Sequence, residues 1–225
     1  MRQWKVRDVM TTAVVTVHAD TPYGDIVSTL TKHRISAVPV VDGYHRVIGV
    51  VSEADLLHKV EFIGDTEQRI LEWGSKKANR AKAEGTTAIE LMSGPAVTIQ
   101  PGVSVVVAAK RLESAKVKRM PVVNERGLIV GIVSRRDLLK MYLRPDHDLH
   151  EDVVENVLRR MLWIDPLTVK PEVRDGVVTL TGSIDRRSTA ELAVHIAKSV
   201  PGVIHVVDQI EWEVDDTKVS VGTGL

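Results

Sequence analysis

The chain contains no cysteine. Disulfides, thiolate nucleophiles and cysteine-ligated metals are therefore excluded. Aromatic residues are scarce, with four tryptophans, three tyrosines and one phenylalanine among 225 residues, so the core must be aliphatic. Thirty basic and thirty acidic residues cancel. Such a chain lacks the basic domain or stripe of a nucleic-acid binder, and no nucleic-acid partner is expected. No stretch approaches the roughly 20 apolar residues that span a bilayer. The opening Met1-Arg-Gln-Trp-Lys-Val-Arg-Asp8 has no apolar run of signal length, so a cytoplasmic protein is expected. The motifs G-x-S-x-G, G-x-G-x-x-G and H-E-x-x-H and the P-loop are all missing, as is any acid/base or nucleophile constellation. The chain is not expected to be an enzyme.

What the chain does contain is a duplication. Residues 10–57 recur without a gap 82 positions on, Met10 answering Met92. Val15-Thr16 answers Val97-Thr98, Leu30 answers Leu112, and Pro39-Val-Val41 answers Pro121-Val-Val123. The closest match is Gly49-Val-Val-Ser52-Glu-Ala-Asp55-Leu-Leu57 against Gly131-Ile-Val-Ser134-Arg-Arg-Asp137-Leu-Leu139. Two copies can bury faces against each other and build clefts where they meet.

Each copy runs through the same periodicities. Residues 14–17 form a β-branched run, read as a strand. Asp20-Thr21-Pro22 suits a helix start, and Ile26, Val27 and Leu30 then recur at helical spacing, predicting a helix over 22–32. Strands follow at 37–41 and 47–52, around turn chemistry at Asp42-Gly43-Tyr44-His45, and Ser52 can cap a helix from Glu53. The order is β-α-β-β-α, repeated over 97–141. Residues 58–90 are mixed in charge; Lys76, Lys77, Arg80 and Lys82 read as the solvated face of a helical connector.

After Met141 the pattern changes. Asp148 with Glu151 resembles a capping box, and Val154, Val157, Leu158, Met161 and Leu162 share one helical face. A half-buried strand over 167–173, a hairpin turn at Asp175-Gly176 and a return strand over 177–181 ended by Gly182 follow. A helix carrying Ala190, Ala193, Ile196, Ala197 and Val200 then breaks at Pro201-Gly202 before a strand over 203–214. The fold class is α/β (α+β): tandem β-α-β-β-α repeats forming one module, plus a small α-β-β-α-β domain. The divisions are 1–60, a connector 61–90, 91–142, a linker 143–149, 150–215 and a flexible tail 216–225.

The repeat, with its Ile35-Ser-Ala-Val-Pro-Val-Val-Asp42 segment and Gly-h-h-Ser-x-x-Asp-Leu-Leu ending, resembles a cystathionine-β-synthase (CBS) domain, and the pair resembles a Bateman module. The last region resembles a BON domain through Asp175-Gly-Val-Val-Thr-Leu-Thr-Gly-Ser-Ile-Asp185 and Val200-Pro-Gly-Val-Ile-His-Val-Val-Asp-Gln-Ile210. The residues make a physical case beside the resemblance. A strand ending Gly-h-h-Ser and opening a helix sets a hydroxyl and free N–H groups at a helix N-terminus. An aspartate one turn in can accept from a ribose diol. The glycine permits close backbone approach, and the apolar run before Pro39 or Pro121 offers a slot for a base. The alternative role is structural: Ser52 and Ser134 cap helices and Asp55 and Asp137 complement helix dipoles.

The resemblance implies crossed sites. Site A would use Met10, Val15, Ile35, Ser36, Ala37 and Pro39 around the base, with Ser134, Arg136 and Asp137 on ribose and phosphate. Site B would use Met92, Val97, Val117, Lys118, Arg119 and Pro121, with Ser52 and Asp55. Site A has the better ribose–phosphate end and is favoured; Lys118 and Arg119 either reach phosphate in site B or fill it. The ligand expected is adenosine-type, AMP, ADP, ATP or another adenosyl compound, with no cofactor required. A homodimer through the CBS modules is implied, with the BON domain as output toward phospholipid or a protein partner. The other reading is a dimerisation scaffold with empty clefts whose BON domain acts as tether.

Asp146-His147-Asp148-x-His150-Glu151-Asp152 is dense in metal-ligand types but lacks an i,i+4 histidine pair, so no metal is expected. His18, His33, His45 and His58 read as solvated, and His195 and His205 have no nucleophile motif nearby. Trp4, Trp73, Trp163 and Trp212 read as interface or domain-packing residues.

Overall fold

The computed structural model describes residues 4–61 and 82–217. Lys76, Lys77, Arg80 and Trp73 lie outside the described residues, as does most of the expected tail. The chain divides into two units, 5–138 and 139–225 with the first four residues.

In the first unit, a short helix α1 (Val6–Val9) precedes a strand β1 (Val17–His18), helix α2 (Tyr23–His33), hairpin strands β2 (Ala37–Val41) and β3 (Val47–Ser52), and helix α3 (Glu53–Glu61). The second copy gives α4 (Ala88–Leu91), α5 (Val105–Ser114), β4 (Arg119–Val123), β5 (Ile129–Ser134) and α6 (Arg135–Leu138). The β2–β3 and β4–β5 pairs are antiparallel in matching register, Ala37 opposite Ser52 and Arg119 opposite Ser134. Their turns close by the same device. Asp42 Oδ1 accepts from the Tyr44 and Arg46 N–H groups at 2.9 Å, and Asn124 Oδ1 accepts from Arg126 and Leu128 at 3.0 Å.

The strand expected over 14–17 is shorter. Only Val17–His18 pairs, parallel to Val40 and Val41, and the second copy keeps a single bridge, Ile99 to Val122. Val14 and Val15 instead line a cavity.

The repeats interlock more than the duplicated sequence implies. The segment entering each copy docks on the other. Val6 and Arg7 donate to the carbonyls of Val103 and Pro101 at 2.8 and 3.0 Å, and α1 packs on β5 and α6. Ala88 and Ile89 donate to Thr21 and Ala19 at 2.9 Å, and Ala88 and Leu91 complete the core formed by Ile26, Leu30, Val38, Val40 and Val51. Thr11 exchanges both backbone hydrogen bonds with Ile132 at 2.9 Å, and Ser93 exchanges its own with Val50 at 2.9 and 3.1 Å. Each fully buried aliphatic side chain is worth about 1.5–3 kcal/mol, so these arms are integral to the unit.

The second unit follows a 3-10 turn, Leu139–Leu143, with α7 (Asp146–Asp152), a wider π helix Val153–Leu162, β6 (Val169–Arg174), β7 (Val177–Arg186), α8 (Arg187–Lys198) and β8 (His205–Val214). The sheet order is β6-β7-β8, with β6–β7 antiparallel and β7–β8 parallel. Three expectations need correction here. No capping box forms at Asp148 and Glu151: the helix starts earlier, at Asp146, whose carboxylate instead clamps the hairpin turn by accepting from Asp175 N–H at 2.7 Å and Gly176 N–H at 2.9 Å. The buried helical face is Leu149, Val153, Val157 and Leu158, while Met161 is exposed, because the π turn is longer than 3.6 residues and rotates the face. The return strand does not stop at Gly182 but runs through it to Arg186.

Of the two roles expected for the tryptophans, Trp163, 89% exposed, does not fill the packing one, whereas Trp4 and Trp212 lie against the guanidinium groups of Arg144 and Arg187 at 5.9 and 5.5 Å. In the acidic stretch, His147 pairs with Asp148 at 2.8 Å and Asp152 with Arg144 at 2.7 Å. No helix among the described residues is long and apolar enough to cross a membrane.

Candidate functional site

Two cavities open where the repeats interlock, and each draws walls from both copies. The first, cleft A, encloses about 190 Å³. Repeat 1 contributes Val15, Ile35, Ala37 and Pro39, and repeat 2 contributes Ser134 and Asp137. The second, cleft B, encloses about 310 Å³, with Ser52 and Asp55 from repeat 1 and Val97, Val117, Lys118 and Arg119 from repeat 2.

The strand–helix ends that carry the serines and aspartates are built alike. Asp137 Oδ2 accepts from the Ser134 N–H at 2.9 Å and the Ser134 hydroxyl at 2.6 Å, while the Asp137 N–H reaches Ser134 Oγ at 3.3 Å. Asp55 repeats this with Ser52 at 2.8, 2.6 and 3.4 Å. The capping role weighed from sequence is therefore present in both copies. It also fixes each carboxylate at the mouth of its helix, facing a cavity.

Several anticipated residues lie elsewhere. Met10 and Met92 do not line the clefts. Their sulfurs pack over Gly131 and Gly49, within 2.6 and 2.2 Å of where a Cβ would stand. Those glycines therefore make room for methionines of the other copy, not for a ligand as anticipated. Ser36 faces cleft B instead of cleft A, Arg136 is exposed and lines neither, and Pro121 is buried in the β4–β5 ladder. Sequence reasoning missed Ile132 in cleft A and Val50 in cleft B. Strand alternation holds that signal, since each stands two residues before its serine and so points the same way.

Arg119, assigned to cleft B alone, borders both cavities. Its Nη2 donates to Ser36 Oγ, while its Nε is buried without a hydrogen-bond partner among the described residues. Burial pulls its pKa below the ordinary arginine value, opposed by the negative charges of Glu53 and Asp137. Among the described residues it is the cationic side chain on the wall of cleft A, whereas cleft B also has Lys116 and Lys118.

Asp55 is buried, and Lys82 and Ser93 also donate to it. Burial pushes its pKa up, but donation from Lys82 and Ser52 outweighs that and holds the carboxyl below its ordinary value. A carboxylate depressed on folding stabilises the fold above its ordinary pKa, and that contribution fades as pH falls through the lower folded value. Urea unfolding at pH 3 and pH 6 should therefore show a smaller acid loss for Asp55→Asn than for the parent. An equal loss in both proteins would remove Asp55 from the acid response.

The sequence matches the CBS domain family over residues 6–61 and 88–144, and the BON domain family over residues 146–213. The crystal structure of CBSX2 from Arabidopsis thaliana in complex with AMP shares the fold with a TM-score of 0.55 and 26% identity, covering 62% of this chain and 97% of that one. Among curated relatives, Uncharacterized protein MJ1426 of Methanocaldococcus jannaschii is 26% identical over 153 residues, 60% of this chain and 89% of that protein. Inosine-5'-monophosphate dehydrogenase of the same organism is 26% identical over 138 residues, but the match spans only 23% of the dehydrogenase.

Proposed function

The chain belongs to the CBS-domain family, with a BON domain after the paired repeats, and from that membership and the crossed clefts we infer that it senses an adenosine-type nucleotide without catalysing a reaction. The observation that carries this is the makeup of cleft A: an apolar slot of Val15, Ile35, Ala37 and Pro39 from one copy faces a serine-fixed carboxylate, Asp137, from the other. A base fits the slot, and the diol of a ribose donates to the carboxylate. Arg119 is the cation within reach of a phosphate there. CBSX2 in complex with AMP supports the ligand class.

Because the walls come from both repeats, ligand shifts the balance between arrangements of the two copies only as far as it binds them unequally. This reading includes a cytoplasmic homodimer through the CBS modules and a BON domain that passes the signal to phospholipid or a protein partner. The test is a thermal-shift panel of AMP, ADP, ATP, S-adenosylmethionine and NAD on protein freed of ligand by unfolding and refolding. A ligand at 100 times its dissociation constant stabilises by about 2.7 kcal/mol, a shift easily read. No shift with any adenosyl compound overturns the reading.

A further inference from the structure

By size alone cleft B is the roomier site, yet its key carboxylate is already taken. Asp55 Oδ2 accepts both Ser52 donors, and its Oδ1 accepts from the Ser93 hydroxyl at 3.1 Å and from the ammonium of Lys82. Lys82 also donates to Ser93 Oγ at 2.8 Å, so lysine, serine and aspartate close a ring of bonds. The side chains of Lys82 and Asp55 are 17% and 10% exposed. Lys82 lies outside the duplicated segments, on the stretch entering the second copy.

That stretch is anchored independently. Lys59 Nζ, on α3, donates to the carbonyls of Ala83 and Gly85 at 3.1 and 3.0 Å, and Gly85 is buried. Thr86 then accepts from the Tyr23 N–H at 2.8 Å. Lys82 is thus held over Asp55 by a strap fixed at several points. A ligand diol would offer neutral donors in place of an ammonium, whose bond to a carboxylate is the stronger kind. It would also strand a half-desolvated lysine.

We propose that Lys82 is the built-in occupant of the cleft B carboxylate, closing that cleft to adenosine ligands and leaving cleft A as the single ligand site of each chain. The proposal rests on the nucleotide-sensing reading above. Calorimetry with AMP as the probe tests it on the full chain. The parent is expected to bind one AMP per chain, Lys82→Met two, and Lys82→Arg one. Adding Asp137→Ala to Lys82→Met should leave one. Should Lys82→Met fold poorly, amide NMR on the parent serves instead: saturating AMP should move Thr11 and Ser134 and leave Ser93 and Ala96 in place. Two AMP per parent chain, movement of Ser93 and Ala96, or a folded Lys82→Met that still binds one would overturn the proposal while leaving nucleotide sensing intact. AMP binding to neither protein would instead overturn the sensing reading on which it rests.

Discussion

Asp137→Ala should abolish the AMP-induced thermal shift of the parent protein, whereas Asp55→Ala and Arg136→Ala should leave it in place. The carboxylate is the group in cleft A able to accept two hydroxyls from a diol, and hydrogen bonds to a charged group are worth about 1.5–3 kcal/mol. Affinity should therefore fall roughly 10- to 100-fold. Part of any effect is structural, since Asp137 also accepts both Ser134 donors. Loss of a cap costs about 1 kcal/mol, a few degrees of melting temperature without ligand. Asp55→Ala disturbs the equivalent cap in the other copy, so it controls for this. Equal loss of the AMP shift in both variants would make the effect one of folding. Arg136, exposed and away from the cavity, separates the tertiary assignment of the site from the one suggested by sequence position.

Gly182→Ala should cost the BON unit about 3 kcal/mol or more, beyond the 1–3 kcal/mol usual for a residue held in a sparsely populated conformation. Gly182 sits mid-strand in the central β7, opposite Val169 on one side and Ile210 on the other. Its φ is +128°, and an added Cβ would stand 2.0 Å from the Thr168 carbonyl oxygen, a backbone atom that cannot rotate away. The strand must shift off β6 or lose its twist. Urea unfolding followed by tryptophan fluorescence reports this directly, since Trp212 on β8 lies opposite Ile184 of β7. Ser183→Ala, next door and exposed, should change stability by no more than about 0.5 kcal/mol. A Gly182→Ala transition that overlays the parent would show that β6 moves aside freely.

Much of the fold was legible because its signals are local. The strands at 37–41 and 47–52 follow from β-branched composition and the turn chemistry of Asp42, and Asp175-Gly176 marks the hairpin of the second unit. The π helix was not legible. Its sequence keeps a 3.6-residue pattern, and only packing against the sheet decides which side of Met161 is buried. In the site, Val15, Ile35, Ala37, Pro39, Ser134 and Asp137 come together in one cavity. Met10, Ser36 and Arg136 do not join them, because a side chain's direction depends on strand phase and on what already fills the space beside a glycine.

By itself, the sequence determined the duplication, the order of elements in each copy, the absence of cysteine chemistry, and the paired serine–aspartate helix starts. These depend on residues within a few positions of one another. The tertiary structure alone decided three things: that each copy's leading segment docks on the other, that Arg119 borders both clefts, and that Lys82 lies on Asp55. Each of these joins residues far apart in the chain, through burial and charge pairing that no local pattern encodes. Two clefts that share a framework were therefore readable in advance; the lysine seated on the carboxylate of one of them was not.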